Sequence, residues 1–182
     1  MLIFILGFVL LVLGFQVFPV CLGNNFKSDI KQSVQQILIH TAIQLIMLWL
    51  GLFLGDRFLY LSEDYQYLII FIGLLMVGLR ISFDSFAVRR GDRTFTTANS
   101  QSLILASTAQ SINTFLAGII LSLFNINHIL IFSILGLSVL LFSTIASWIK
   151  LSKTALTLAS LVYILGGIGI VSIAIYLGFF IK

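Results

Sequence analysis

Six long apolar stretches follow one another along the chain, separated by short polar segments. They cover roughly residues 2–22, 35–55, 66–86, 102–123, 128–149 and 157–179. A helix that crosses the hydrocarbon core needs about 20 mostly apolar residues. Because lipid forms no hydrogen bonds with backbone N–H and C=O groups, these groups must bond to one another, as they do in a helix. The stretches do not alternate apolar with polar residues, as strands of a membrane β-barrel would. The pattern therefore predicts an all-α integral membrane protein with six spans.

The composition supports the same class. Hydrophobic residues make up 60% of the 182 residues and charged residues 9%, which is too little charge to cover a soluble domain. The lipid bilayer is the expected partner, and the formal charge of +4 forms no basic face of the kind that nucleic-acid binding requires. The single cysteine, Cys21, excludes an intrachain disulfide and is expected to be a small buried side chain. No signal-peptide pattern precedes it, so the first stretch is expected to remain as a span.

Basic residues are concentrated in alternate connections. The connections after the first, third and fifth spans hold Lys27, Lys31, Arg89, Arg90, Arg93, Lys150 and Lys153, whereas the opposite side holds Arg57 and Lys182. Positively charged loops stay in the cytoplasm. We therefore expect a bacterial inner-membrane protein with both termini outside, and with the acidic pair Glu63 and Asp64 on the outer face.

The chain is expected to form one membrane domain, residues 1–182, built from two related halves, 1–86 and 99–182. The sequence from Phe15 to Val20 (FQVFPV) and the sequence from Ile112 to Ala117 (INTFLA) share the order apolar, amide, β-branched, Phe, apolar, small. Each half holds three spans, an odd number, so the second half must cross the membrane in the opposite direction. Inverted repeats of this kind are a transporter architecture with the substrate site near the midplane. Chance similarity of two apolar segments is the alternative.

The first span carries an amide, Gln16, close to Pro19, the only proline of the chain. Proline has no N–H, so the carbonyl of Phe15 loses its helical partner. A free carbonyl beside an amide side chain is a candidate ligand pair. The alternative is a simple kink with Gln16 bonded to a neighbouring helix.

The second span carries Gln36, His40 and Gln44 at positions i, i+4 and i+8, which lie on one helical face. Such a face borders either a wet cavity or a hydrogen-bonded contact between helices. His40 is the one interior side chain that titrates near neutral pH, so it is a candidate proton carrier as well as a candidate structural residue.

The fourth span is the most polar, with Ser107, Thr108, Gln110, Ser111, Asn113 and Thr114. Gln110, Asn113 and Thr114 share one face by the i, i+3, i+4 rule. Small residues that permit close helix packing follow at Ala117 and Gly118.

Arg80 and Asp84 lie four residues apart at the cytoplasmic end of the third span. This spacing allows an ion pair along the helix, which would serve as a gate. The alternative is that both side chains reach the interface and anchor the helix there.

The motifs HExxH, Cys-x-x-Cys and the P-loop do not occur in the sequence. We therefore expect neither an enzyme nor a bound cofactor.

Two segments resemble a known family. The stretch from Ala109 to Ala117 is similar to the Ser-[Leu/Met]-Asp-Ala-[Phe/Met]-Ala signature of the small bacterial manganese efflux pumps of the MntP type, in the LysE-like transporter group. The stretch from Val77 to Arg80 is similar to the Gly-Gly-Arg of the same pumps. The resemblance implies six helices in two inverted halves, outward termini and manganese export.

The chain departs from this family at the acidic positions. Gln16 and Asn113 stand where the family signatures hold Asp. Gln44 lies near the position at which the family has an acidic residue in the second span. The resemblance implies these three as metal ligands, although Mn²⁺ prefers carboxylate oxygens. His40 would add a nitrogen ligand or a proton group.

Three hypotheses follow. The first is export of a divalent cation, manganese by resemblance, and the second is transport of a neutral or organic solute by the same architecture. The third is a diverged membrane protein that transports nothing. The oligomeric state is left open.

Overall fold

The computed structural model describes residues 2–22, 30–58, 65–94, 100–124 and 126–180, and in these ranges all regular structure is helical. The helices are α1 (Leu2–Phe15), α2 (Phe18–Cys21), α3 (Ile30–Phe58), α4 (Gln66–Arg90), α5 (Ser100–Gln110), α6 (Ile112–Leu121), α7 (His128–Trp148) and α8 (Lys153–Phe180). Lys27, Glu63, Asp64 and Lys182 lie outside the described residues. Cys21 is free and fully buried.

Six helical segments in the described residues are long and apolar enough to cross a membrane, which confirms the predicted class and number of spans. The first span combines α1 with α2, and the fourth combines α5 with α6; the others are single helices. Helices α3, α4 and α8 continue beyond the predicted apolar cores at their polar ends. Long basic side chains such as Lys31 and Arg90 allow this, since they reach the aqueous interface from a helix end.

The first span is interrupted at Gln16 and Val17. Pro19 follows in the first turn of α2. The N–H that proline lacks would form no helical hydrogen bond at this position, because the first N–H groups of a helix have no helical partner. Proline therefore restarts this helix as well as breaking it.

The fourth span is also interrupted, at Ser111, where a continuous helix was predicted. The Ser111 N–H donates both to the Ser107 carbonyl at 3.0 Å and to the Thr108 carbonyl at 3.1 Å. The Ser111 hydroxyl donates to the Ser107 carbonyl at 2.7 Å. This bond back to the preceding turn accompanies the break, as Pro19 accompanies the break in the first span.

The helices pack in pairs that join the two halves of the chain. Helix α4 packs along α8, α3 packs on α5 and α6, and α1 with α2 packs on α7. Exchanging the first span with the fourth, the second with the fifth and the third with the sixth maps these pairs onto one another. The predicted inverted repeat requires this pairing, and the repeat itself stays a prediction.

Two of these helix pairs meet backbone to backbone at glycines. A Cβ atom on Gly118 would lie 2.8 Å from the Leu48 carbonyl and 3.1 Å from the Gly51 Cα. A Cβ atom on Gly78 of α4 would lie 2.8 Å from the carbonyl of Gly167 on α8. Small residues are the usual means of such close approach in membranes. The glycines thus fix the α3–α6 and α4–α8 crossings.

Polarity is arranged opposite to that of a soluble protein. Large apolar side chains point outward, for example Phe4 and Leu105, which are 83% and 71% exposed. The bundle interior holds amides and hydroxyls, among them Gln16, Gln36, His40, Gln44, Ser107, Gln110, Ser111, Asn113 and Thr114, all buried. Lipid covers the outer surface, and the polar groups collect where helices supply partners.

Substitution of Gly51 by Ala is expected to destabilise the protein. The new methyl group would overlap the Phe115 carbonyl and lie 3.0 Å from the Gly118 Cα, both backbone atoms that cannot turn aside. Overpacking of this kind costs about 1–3 kcal/mol. Thermal unfolding in detergent micelles measures the effect. Gly136→Ala on α7 is the matched control, because its methyl group meets only the Leu45 side chain at 3.7 Å. Equal midpoints for the two variants would contradict the crossing described here.

Candidate functional site

The two interrupted spans meet at the centre of the bundle. The Asn113 side-chain amide donates to the Gln16 side-chain carbonyl with an Nδ2–Oε1 distance of 3.1 Å. Gln16 is 1% exposed and Asn113 2%. The amides that the sequence comparison aligned between the two halves are therefore direct partners, each next to the break in its own span.

The backbone carbonyl of Gln16 is the anchor of this centre. It accepts a hydrogen bond from Gln110 Nε2 at 2.6 Å and from the Tyr163 hydroxyl at 2.7 Å. Gln110 Nε2 also donates to the Tyr163 hydroxyl at 2.8 Å, which closes a triangle of three spans. The sequence placed the released carbonyl at Phe15, whereas the side chains bind that of Gln16. The chain leaves the helix at Gln16, so this carbonyl turns toward the interior.

The second span brings a further amide and the imidazole to the same region. The Thr114 hydroxyl donates to Gln44 Oε1. His40 Nδ1 lies 2.6 Å from the Ser107 hydroxyl. Gln36 is also buried, so all three predicted positions of the α3 polar face turn into the bundle.

Four buried polar atoms of this centre have no hydrogen-bond partner among the described residues. They are Gln16 Nε2, His40 Nε2, Gln44 Nε2 and Asn113 Oδ1. Buried polar atoms are nearly always paired, and an unpaired one in lipid surroundings costs free energy. Their concentration on predicted site residues marks a place suited to a polar ligand.

The amides, hydroxyls and neutral imidazole that meet at the two breaks carry no formal charge. Within the described residues no group of three or more His, Cys, Asp or Glu side chains comes together. The acid that is linked to the site, Asp84, is paired with Arg93 at 2.5 Å, with both side chains largely shielded. A cation in this centre would thus be held by neutral amide, hydroxyl and imidazole groups.

The predicted pairing of Arg80 with Asp84 is wrong, because Arg93 occupies the carboxylate. Helix α4 ends at Gly91, whose φ of 84° is left-handed, and the Asp92 N–H bonds back to the Ala87 carbonyl at 3.0 Å. This capping turn reverses the chain and brings Arg93 over the last turns of α4. Arg80 is half-buried and forms no salt bridge within the described part of the chain.

Arg93 also connects the ion pair to the centre. Its guanidinium donates to Gln110 Oε1 at 3.3 Å while Gln110 Nε2 holds the Gln16 carbonyl. A continuous path of hydrogen bonds therefore runs from Asp84 through Arg93 and Gln110 to the first break.

Sequence reasoning missed Tyr163, Arg93 and Ser107 as parts of this centre. Tyr163 lay in an apolar span and Arg93 in a loop that was considered only for its charge. Ser107 was noted as polar but not chosen. A usable signal was the i, i+3, i+4 spacing of Ser107 with Gln110 and Ser111, which places it on the inward face of the fourth span.

An apolar cavity of about 190 Å³ lies beside the first break. It is lined by Phe15, Phe18, Ile149, Ala155, Leu158, Ala159 and Val162. None of the predicted site residues contributes to it, so it is not the polar centre.

The comparisons with known proteins fit this architecture. A family model described as "Mntp: Putative manganese efflux pump" matches residues 27–178, which include the second to sixth spans and leave Gln16 just before the match. No curated protein and no solved structure matches the chain. Since the match covers most of the 182 residues, this multi-pass membrane protein belongs to the Mntp family.

Proposed function

We propose that this protein exports a divalent cation, manganese by family membership, from the cytoplasm across a bacterial inner membrane, with both termini outside. The observation that carries the proposal is the meeting of two interrupted spans at a buried centre with four unpartnered polar atoms. Broken helices at the bundle centre are where membrane transporters bind substrate. Family membership supplies the cation.

Amide oxygens would provide the hard ligands. Asn113 Oδ1 is free in the observed arrangement, in which Gln16 Oε1 accepts the hydrogen bond. Turning both amides by 180° reverses the bond and frees the Gln16 oxygen instead, so one oxygen is available in either case. Gln44 Oε1 adds a second when Thr114 releases it. Neutral oxygens of this type suit Mn²⁺, though less strongly than carboxylates.

The Asp84–Arg93 pair would be the cytoplasmic gate, in place of the predicted Arg80 and Asp84. The pair ties the end of α4 to Gln110 and, through it, to the first break. Access from the cytoplasm requires the connection between these spans to loosen. An ion pair at the rim that also holds a buried amide couples such an opening to the site.

A neutral polar solute is the second candidate. Gln16 Nε2 and Gln44 Nε2 are unpartnered donors, and donors attract carbonyl or hydroxyl oxygens of a solute but repel a cation. Among the described residues no group of three or more His, Cys, Asp or Glu side chains comes together to offset a dication's charge. The two candidates differ in whether metal moves at all.

Removal of either central amide is expected to abolish export. Gln16→Ala and Asn113→Ala each remove an oxygen that would coordinate the cation, and each loss of about 1.4 kcal/mol in binding free energy lowers the affinity about tenfold. The measurement is manganese tolerance and Mn²⁺ efflux in a manganese-sensitive strain that lacks its own exporter. Gln35→Ala, an exposed amide on α3, is the matched control and should rescue like the unchanged chain.

The same assay can refute the proposal that the substrate is a divalent cation. If the unchanged chain is inserted in the membrane and gives no rescue, the proposal of manganese export is wrong. If both alanine variants rescue as well as Gln35→Ala, the central amides are not the site.

Loss of the gate pair is expected to produce a leak. Arg93→Gln leaves Asp84 unpaired and weakens the hold on Gln110; a loss of about 1 kcal/mol from the closed state changes populations about fivefold. Passive Mn²⁺ entry into dye-loaded proteoliposomes measures it. Arg90→Gln is the control, because Arg90 pairs with Asp92 at 2.9 Å on an exposed surface, where ion pairs contribute little. An equal leak from both variants would count against the gate.

The orientation can be tested by labelling intact cells with a membrane-impermeant maleimide. In a Cys21→Ser background, Tyr65→Cys is expected to be labelled and Lys150→Cys only after lysis, because Lys150 lies in a basic connection. Both positions are exposed. Labelling of Lys150→Cys alone in intact cells would reverse the assigned topology.

A further inference from the structure

The hydroxyl of Ser107 defines which nitrogen of His40 carries the proton. This oxygen lies 2.7 Å from the Leu103 carbonyl and 2.6 Å from His40 Nδ1. A hydroxyl has one hydrogen, and a carbonyl only accepts, so that hydrogen lies toward Leu103. The contact with His40 is then a hydrogen bond only if the imidazole donates from Nδ1.

A neutral imidazole has one N–H, so Nε2 of His40 is left with a bare lone pair. That atom has no partner among the described residues, and the side chain is 1% exposed. A cationic ring would place an unpaired charge inside the bundle, where none of the described carboxylates forms a salt bridge with it, at a high cost in free energy. The neutral ring with Nδ1–H is the form that fits its surroundings.

This arrangement is the one that metal-binding histidines use. They coordinate with one nitrogen and donate the other N–H to an oxygen that fixes the ring. Ser107 supplies that oxygen and is itself held by the Leu103 carbonyl. The Ser107 carbonyl in turn accepts the Ser111 hydroxyl at the break in the fourth span. The ring is therefore positioned in advance by the same span that carries Asn113.

We propose that His40 Nε2 is a ligand of the transported ion and that this ion is a nitrogen-preferring divalent transition metal, such as Zn²⁺, Co²⁺ or Ni²⁺, more than Mn²⁺. This inference rests on the proposed transport function and narrows its cargo. Imidazole suits zinc, nickel and copper, whereas manganese is bound best by carboxylates and is the weakest binder of the divalent series. The centre offers imidazole and amides and no carboxylate cluster among the described residues.

Gln44 and the Gln16–Asn113 pair complete the donor set. Gln44 follows His40 by one turn on the same face of α3, and it is bonded to Thr114, the neighbour of Asn113. These groups come from the first, second and fourth spans, and hydrogen bonds tie each of them to one of the two interrupted spans. Such a mixed set is typical of borderline metals and poor for a hard ion without charge compensation.

His40→Asn separates coordination from structure. The Asn Nδ2 can replace Nδ1 as donor to Ser107, but no atom replaces Nε2. The matched control is His128→Asn, at the exposed start of α7. His40 and His128 are the two histidines of the chain, so a tag without histidine is required.

The experiment measures initial rates of Zn²⁺, Co²⁺ and Mn²⁺ transport in proteoliposomes. The wild-type protein and His128→Asn are expected to transport Zn²⁺ or Co²⁺ faster than Mn²⁺. In His40→Asn the ratio of these rates is expected to fall about tenfold or more, while most of the Mn²⁺ rate remains. If Mn²⁺ is transported and the preference is the same in His40→Asn, the inference is overturned and the proposed function stands. If no metal moves with the unchanged chain, both are overturned.

A second readout does not depend on the His40 variant folding. Pulsed EPR of Cu²⁺ bound to His128→Asn protein should show the modulation of a coordinated imidazole, which in this protein only His40 can supply. A spectrum with oxygen ligands alone would overturn the assignment of Nε2.

Discussion

A backbone carbonyl released from a helix inside a membrane has to find another donor, and the carbonyl of Gln16 shows how this chain meets that demand. Gln110 and Tyr163 both bind it, from the fourth and sixth spans. Water would satisfy such a group at a protein surface, but hydrocarbon cannot. The hydrogen bonds that satisfy the break in the first span therefore also hold the first, fourth and sixth spans together. The placement of Gln16 and Asn113 against each other follows from these bonds.

Neutral side chains let this centre form hydrogen bonds within itself. Carboxylates at Gln16 and Asn113 would place two like charges in contact inside the bundle, and each would need a cation to be tolerable. Amides bond to each other instead, as Asn113 does to Gln16 at 3.1 Å. Amide oxygens attract a hard dication less strongly than carboxylates do. In the proposal made above, the imidazole of His40 would be a nitrogen ligand. The departure from the signature that the chain resembles is thus a change in the chemistry of the centre.

The spans could be predicted from sequence because hydropathy and length act within one segment at a time. The inward placement of Gln36, His40 and Gln44 could be expected for the same reason, since helical spacing is local. The partners could not. Tyr163 and Gln16 are separated by 147 positions, and Gln110 and Gln16 by 94. Arg93 replaced Arg80 as the partner of Asp84 because a glycine turn, invisible to an i, i+4 rule, folds the chain back. The break at Ser111 has no proline or glycine beside it, so neither a hydropathy profile nor a search for helix-breaking residues reveals it.

The contact between Gly51 and Gly118 has a mechanical consequence. No side chain lies between these backbones, so the two helices cannot approach more closely there, and a change in their crossing angle would pivot on that point. Thr114 is one helical turn from Gly118, and Gln44 is two turns from Gly51. A change in crossing angle displaces the far ends of two helices more than the residues beside the crossing point. Helices that swing here can widen one mouth of the bundle and narrow the other while Thr114 and Gln44 scarcely part.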